Sequence, residues 1–512
     1  MRIGVDFGTT RIVAAAADRG NYPLISFEAP DGQAREWYPP LVAFRGEEKR
    51  FGWDTWPVQG DPEWTSIRSL KRLLKNAGPH STLRCATLTV RFRELLVELL
   101  KEFGDELRTR STLRLERGEA LQVMLGVPAN ANSNQRFLTV DIFRAAGFEV
   151  LGMLNEPSAA SIEFGHSNRQ GRKAQSANAM LVYDLGGGTF DASLVEMEAN
   201  SNSVVATTGI PDLGGDDFDH ILADLALEHS DIPLADAVTL SQAELFRLWE
   251  ECREKKEALN PNTRKIVIDL DRVRDGWGEV TIPAATYYER CRPCIEQTRT
   301  VVEQVLDSNP AYLIETLYVT GGGSELPPVA RILKETFGRR VRRSAYMRSA
   351  TAIGLAIAAD AQSGFSLRDQ LNQNFGVWRE AELGRDVTFD LLLPAGTALP
   401  EAGEPPVRIV RAYRPVHNIG HFRYVECSRL GADLQPLGDI TTWDEILFPF
   451  DPALSETRDL NAVPVARNPD GGAEWVEEEY TCDSSGQIRV TIRNRGAGYG
   501  REYELGRWSG AN

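Results

Sequence analysis

Apolar positions in the first 361 residues follow two periods, and each predicts its own kind of element. Short apolar or β-branched runs at 3–5, 121–127, 149–154, 181–183, 192–195 and 316–320 predict strands. Between them, 92–107, 134–146, 159–164, 240–259, 287–306, 328–337 and 350–361 predict helices, by three- and four-residue spacing or by alanine-rich composition. Gly147 stands where a helix ends, and Asn155 with Pro157 suits a helix start. Strands interleaved with helices predict an α/β domain. The rhythm changes near Gln362. Pro and Gly then punctuate short alternating stretches, such as 407–410, 424–428 and 487–492, an all-β pattern. The expected organisation is an α/β domain over 1–361, a linker over 362–370 and a β-rich domain over 371–512.

One stretch organises the α/β part. The run Leu181-Val182-Tyr183 reaches Asp184, then Gly186, Gly187 and Gly188, then Thr189 and Asp191, and a second strand follows. This reads as strand, tight turn, strand. Glycines without a Cβ let backbone N–H groups lie against a polyphosphate. Thr189 can donate to a terminal phosphate. Asp184 and Asp191 would repel phosphate, but they suit a hydrated Mg²⁺ beside it. A glycine hairpin with no ligand would look the same. The N-terminus repeats the pattern, with Asp6, Gly8, Thr9 and Thr10 between two apolar strands. The repeat predicts a duplicated domain whose two lobes each present one hairpin to a nucleotide's phosphates. Neither hairpin is a Walker A loop, and the Rossmann glycine pattern is missing.

Other candidates surround this pair. Glu156 falls at a strand-to-helix junction, where a side chain points into the cleft of an α/β domain; its other reading is a first-turn acid facing the helix dipole. Gly214 and Gly215 open a further helix, and Gly321, Gly322, Gly323 and Ser324 follow a strand. Residues 66–75 mix basic and apolar positions, either as a solvated basic face or with a lysine that reaches the phosphates.

Composition narrows the class. A chain of 512 residues exceeds one hydrophobic core. Its net charge of −16 disfavours nucleic acid and anionic membranes as partners. No leader and no apolar run of about 20 residues is visible. Six cysteines fit a reducing compartment, so a cytoplasmic protein is expected. Cys291 and Cys294 form the one Cys-x-x-Cys; incidental helix cysteines are expected, with a redox role as the alternative. His417 and His421 read as solvated residues of a turn, and 165–177 as an exposed loop.

Five motifs occur in the order used by DnaK-type heat-shock chaperones of the actin-like ATPase superfamily, and the chain resembles that family. They are Val5-Asp6-Phe7-Gly8-Thr9-Thr10, Asn155-Glu156-Pro157-Ser158-Ala159-Ala160, Asp184-Leu185-Gly186-Gly187-Gly188-Thr189-Phe190-Asp191, Gly214-Gly215-Asp216-Asp217-Phe218-Asp219 and Thr320-Gly321-Gly322-Gly323-Ser324. The resemblance covers about 1–361. It implies an actin-like ATPase domain of two lobes, followed by a β-rich domain that binds a peptide or protein. It also implies ATP and ADP as ligands and Mg²⁺ held near Asp6, Asp184 and Asp191. Thr9, Thr10 and Thr189 would contact phosphate. Lys71 resembles the catalytic lysine, and Glu156 the glutamate that acts with Asp184 at the attacking water. Lys256 and 321–324 would border adenosine. Pro128 and Arg136 match the relay to the substrate domain. A J-domain co-chaperone and a nucleotide-exchange factor are the implied partners.

Departures matter as well. The adenosine-side helix carries Arg253, Lys256 and Glu257, with two charges exchanged relative to the family, and Glu325 stands where the family has an adenine-stacking arginine. Arg253 is expected to take over part of that contact. The acidic-apolar linker is absent from 362–367, and the chain ends without a helical lid. The leading expectation is a lidless ATP-dependent chaperone-like protein. An ATPase switch with one dedicated partner is the alternative; a sugar kinase or an actin-like filament protein fits less well.

Overall fold

A computed structural model of the chain describes all residues except 79, 86–87, 117, 168–177, 198–200, 234–238, 382–385, 401–402, 444, 468–474 and 506–512. The chain packs as two units. One comprises Met1–Leu74, His80–Asn130 and Val140–Leu367; the other comprises Lys75–Pro79, Ala131–Thr139 and Arg368–Asn512.

The first unit shows the duplication in its sheets. One sheet runs Glu149–Asn155, Gln122–Val127, Arg2–Phe7, Ile12–Ala16. The other runs Val341–Arg343, Ile314–Thr320, Asn178–Leu185, Phe190–Met197, Ser201–Ile210, Ser366–Arg368. Both contain the same device. An antiparallel hairpin has a first strand that also pairs in parallel with a strand on its other side. Both hairpins therefore turn at equivalent places, after Phe7 and after Leu185. Within the expected linker, Ser366–Arg368 forms a short edge strand of the second sheet.

Helix Ala350–Ala359 is apolar all round, as a fully enclosed helix must be. It lies against helix Glu156–Ser167 and strand Arg2–Phe7 at backbone distance. A Cβ on Gly354 would stand 1.8 Å from the Ala159 carbonyl oxygen, and one on Gly4 2.2 Å from the Ala356 nitrogen. On the other lobe the core is aromatic and tied by hydroxyls. Tyr183 bonds Thr298 at 2.7 Å, and Tyr287 donates to the Phe218 carbonyl at 3.0 Å. Cys291 and Cys294 lie in helix Ala284–Ser308, and burial pushes the Cys291 thiol up to about 12, which makes it a poor nucleophile. Of the expected loop 165–177, residues 165–167 close helix Glu156–Ser167 and the remainder lies outside the described residues.

The second unit is a sandwich. One sheet orders Asp386–Leu393, Asn374–Ala381, Ile419–Leu430, Pro436–Thr442, with Ile446–Pro449 pairing off the third strand. The other orders Val407–Tyr413, Val476–Cys482, Ile488–Asn494, Tyr499–Leu505. Strict alternation in Val476–Cys482 and Ile488–Asn494 turns every second side chain into the core. One end of that core is ionic: Arg379 pairs with the fully buried Glu478 at 2.8 Å and with Asp390 at 2.7 Å. Glu426, also buried, accepts from the Ser133 backbone N–H and hydroxyl, each at 3.0 Å, and so caps the start of helix Ser133–Ala145. Arg136 is buried and donates to the Ser485 carbonyl at 3.4 Å.

His421 corrects an expectation. It sits in strand Ile419–Leu430 rather than in a turn, and it meets Glu445, while His417 Nδ1 lies 3.5 Å from Glu380. The strand continues through His421 because the apolar residues on either side of it, Gly420 and Phe422, pair with Phe448 and Ile446. Among the described residues no helix is long and apolar enough to cross a membrane.

The backbone approach at Gly354 gives a stability test. Gly354→Ala is expected to destabilise the first unit by about 1–3 kcal/mol through overpacking, seen as a lower thermal midpoint. Gly60→Ala, where an added Cβ meets nothing within 4 Å, should leave the midpoint unchanged.

Candidate functional site

The two hairpin turns face each other. A Cβ on Gly187 would lie 3.0 Å from the Thr10 hydroxyl, and one on Gly188 2.6 Å from that of Thr9. An added Cβ would crowd Thr10 at the first position and overlap Thr9 at the second. The turn of the second hairpin is closed by the Gly186 N–H donating to the Thr189 carbonyl at 3.0 Å. Helix Gly215–His229 then docks its first turn on the hairpin, with the Gly215 N–H on Gly186 O at 2.9 Å and the Asp216 N–H on Gly187 O at 2.7 Å. Gly214 is confined by the same contact, because its Cβ would fall 2.6 Å from the Gly188 nitrogen. Gly321 has φ +85° and backs onto Leu185 and Asp184, a position closed to other residues. Gly322 and Gly323 continue the wall, while Ser324 stands behind it and gives its hydroxyl to the Thr320 carbonyl.

A cleft of about 850 Å³, its open mouth included, lies between the hairpins. Gly8, Thr9, Thr10, Gly186, Gly187 and Thr189 line its phosphate end. Lys71 and Glu156 meet on its floor, with Nζ 2.5 Å from Oε1 and both side chains nearly buried. Asp6 and Asp184 share the cleft. Asp191 lies opposite Asp184 across the hairpin, and its Oδ1 is buried without a hydrogen-bond partner. Like charges facing across an antiparallel pair cost stability, so their retention points to a ligand.

The electrostatics agree. Burial, reinforced by Glu156, raises Asp6 to about 7 and Asp191 to about 7, and it pushes Asp184 well up too. Burial pulls on Lys71 in the opposite sense, but Glu156 and Asp6 more than offset it, and the ammonium holds its proton. Four carboxylates around one lysine leave a site short of positive charge. Among the described residues no three acidic, histidine or cysteine side chains converge closely enough to ligate one ion directly. A hydrated cation, if bound here, would be held by Asp6, Asp184 and Asp191 through its waters.

The other end of the cleft is ionic. Arg253 is committed to Glu250 at 2.7 Å and to Glu257 at 3.3 Å. Glu257 also takes Arg11 at 2.5 Å and Arg348 at 3.0 Å. Despite burial, these three arginines hold the Glu257 carboxyl well below its usual range. Arg348 grips Glu325 as well and stands 3.7 Å from where a Cβ on Gly322 would be. Lys256 donates to the Gly215 carbonyl at 2.7 Å and pairs with Asp219 at 2.6 Å.

Residues 66–75 are not a solvated basic face. Arg68 and Lys71 are buried because carboxylates on the opposite wall, Asp216, Asp219 and Glu250, and Glu156 on the floor, compensate them. Sequence reading missed Arg68 and Arg348. The signal for Arg348 was Glu325, an acid placed where the resemblance expects a base and so in need of a cation.

A duplicated α/β unit with two glycine hairpins closing on one cleft defines the actin-like class. The family model described as Hsp70 protein matches residues 107–376, and the chain belongs to the Hsp70 family. It is 31% identical to chaperone protein HscA of Proteus mirabilis over 376 residues, 70% of this chain and 57% of that protein. It is 28% identical to an HscA homolog of Variovorax paradoxus over 522 residues, 97% of this chain and 76% of that protein. To an HscA homolog of Pseudomonas aeruginosa it is 28% identical over 390 residues, 72% of this chain. The chain spans 59% of the length of that last relative.

The crowding of carboxylates has a measurable cost. Folded Asp191 keeps its proton up to about 7, whereas the unfolded carboxyl releases it near 3.8, so folding loses stability as pH rises between those values. Asp191→Asn removes that loss. In ligand-free protein it is expected to raise the thermal midpoint at about pH 8, reflecting a stability gain on the order of a few kcal/mol or less, with the gain fading toward about pH 4. A melting series across pH checks it.

Proposed function

We propose that the chain is an ATP-hydrolysing, Hsp70-type chaperone in which nucleotide state sets the affinity of a β-rich binding domain for a peptide or protein. The observation that carries this reading is the buried Lys71–Glu156 pair, set among Asp6, Asp184 and Asp191 between the two facing hairpins. The backbone N–H groups of the glycine turns and the hydroxyls of Thr9, Thr10 and Thr189 cradle the phosphates. Lys71 neutralises charge that develops on the transferred phosphoryl group. Glu156 and Asp184 orient a water and take its proton. Mg²⁺, when bound, supplies charge neutralisation across the phosphates. Gly214, Gly215, Lys256 and 321–324 flank the nucleoside.

The proposal divides the chain at 1–361, 362–370 and 371–512, with Pro128 and Arg136 relaying nucleotide state. J-domain and nucleotide-exchange partners belong to the same reading. The relatives' names, chaperone protein HscA, support client binding. All six cysteines are free thiols, which favours a cytoplasmic setting.

Single-turnover ATP hydrolysis by the full chain, with and without extended apolar peptides, is the test. Lys71→Ala and Thr189→Ala should each lower the rate by about 10²-fold or more, since each removes a group aimed at developing charge. Peptide acceleration supports the chaperone reading. Hydrolysis that peptides leave unmoved favours a switch with one dedicated partner. No hydrolysis by the intact chain overturns the ATPase reading.

A further inference from the structure

We infer that Arg68 is a positioning residue for the reaction: it clamps the segment carrying Lys71 onto the opposite wall of the cleft, so one buried ion cluster sets both lysine placement and nucleotide release. This rests on the ATP-hydrolysing reading above.

Lys71 lies in helix Leu70–Leu73, a single turn. So short a helix cannot hold itself, and its place depends on outside anchors. Arg68, three residues earlier, is one anchor. Its guanidinium reaches Asp216 at 2.6 Å, Asp219 at 2.8 Å and Glu250 at 3.0 Å, and its side chain is only 7% exposed. Arg72, the residue after Lys71, is the other, with bonds to Asp217 at 2.8 Å and to the Gly188 carbonyl at 3.0 Å.

The backbone between the anchors is strained. Ser69 has φ +59°, a left-handed conformation that non-glycine residues adopt only when their surroundings impose it. The Ser69 hydroxyl donates to Asp216 at 2.5 Å and ties this segment to the opposite wall.

Asp216 links the clamp to the phosphate hairpin. Its carboxylate takes Arg68 and Ser69, while its own N–H holds the Gly187 carbonyl at 2.7 Å. Movement of the Lys71 segment is thus transmitted to the turn that cradles phosphate. The cluster is charge-balanced, because Lys256 shares Asp219 and Arg253 shares Glu250. The planar fork reaches Glu250 from one nitrogen and Asp216 and Asp219 from the other, whereas a lysine would present its donors from a single nitrogen.

The walls of the cleft must part before a nucleotide leaves. Arg68→Lys is therefore expected to speed release of a fluorescent ADP analogue about 10-fold or more, and to slow single-turnover hydrolysis by a similar factor, as small misplacements of catalytic groups do. Ser69→Ala, which keeps the strain and loses the hydroxyl, should be more defective in both than Ser69→Gly, which accepts φ +59° freely. A purely structural role would lower the thermal midpoint while leaving release unchanged. Release and hydrolysis within about twofold of the parent protein in both Arg68→Lys and Ser69→Ala would overturn the inference. If the parent protein binds the ADP analogue and does not hydrolyse ATP, the ATPase reading fails and release alone decides the clamp. If it binds no nucleotide, both fall.

Discussion

Everything in the first unit answers to one constraint, an excess of negative charge held out of water. Asp6, Glu156, Asp184 and Asp191 surround Lys71 as their one nearby cation. Buried carboxylates without partners are costly. The protein meets part of that cost by keeping protons on the aspartates, as their raised pKa values show. The site is thus unstable by itself in the sense that makes it useful. Strands from both lobes must bring the acids together, and the same strands bring the glycine turns face to face.

Close approach is the second element, and it follows from the first. A metal-bound phosphate can lie among these acids only if backbone amides reach it without intervening side chains. Gly187 against Thr10, Gly188 against Thr9 and Gly214 against Gly188 leave no room for a Cβ. The same economy recurs behind the site at Gly4 and Gly354, where backbone packs directly on the alanine helices. These glycines fix spacing between layers, and phosphate recognition depends on that spacing.

Local signals in the sequence carried much of this. The doubled strand–Asp–Gly–Thr pattern announced a duplicated α/β unit, and the alternation after Gln362 announced a β-rich region. The site's acids and glycines were legible because their chemistry needs them adjacent in sequence. Long-range pairing was not legible. Arg68 reads as one more basic residue on a short helix until Asp216 and Glu250 are placed against it from about 150 and 180 residues away. Strand register also overrode a local turn signal at His421. The grouping of Ala131–Thr139 with the β-rich unit, through Ser133 and Glu426, left no mark in periodicity, because a helix start looks the same whichever neighbour caps it.

The nucleoside end shows how charge can be rearranged without losing balance. Glu325 stands where an arginine would be expected from the resemblance, and Arg348 comes from another part of the chain to meet it. Arg253, which the sequence offered as the substitute, also lines the cleft and is held between Glu250 and Glu257. A guanidinium held by carboxylates in its own plane still presents its face, and faces are what stack on an aromatic base. Arg348 meets both conditions. Glu325 and Glu257 fix its edges, and Gly322, having no side chain, leaves the space beside it clear. Charge at this end is thus balanced by Arg348, which joins Glu325 to Glu257 beside the glycine wall.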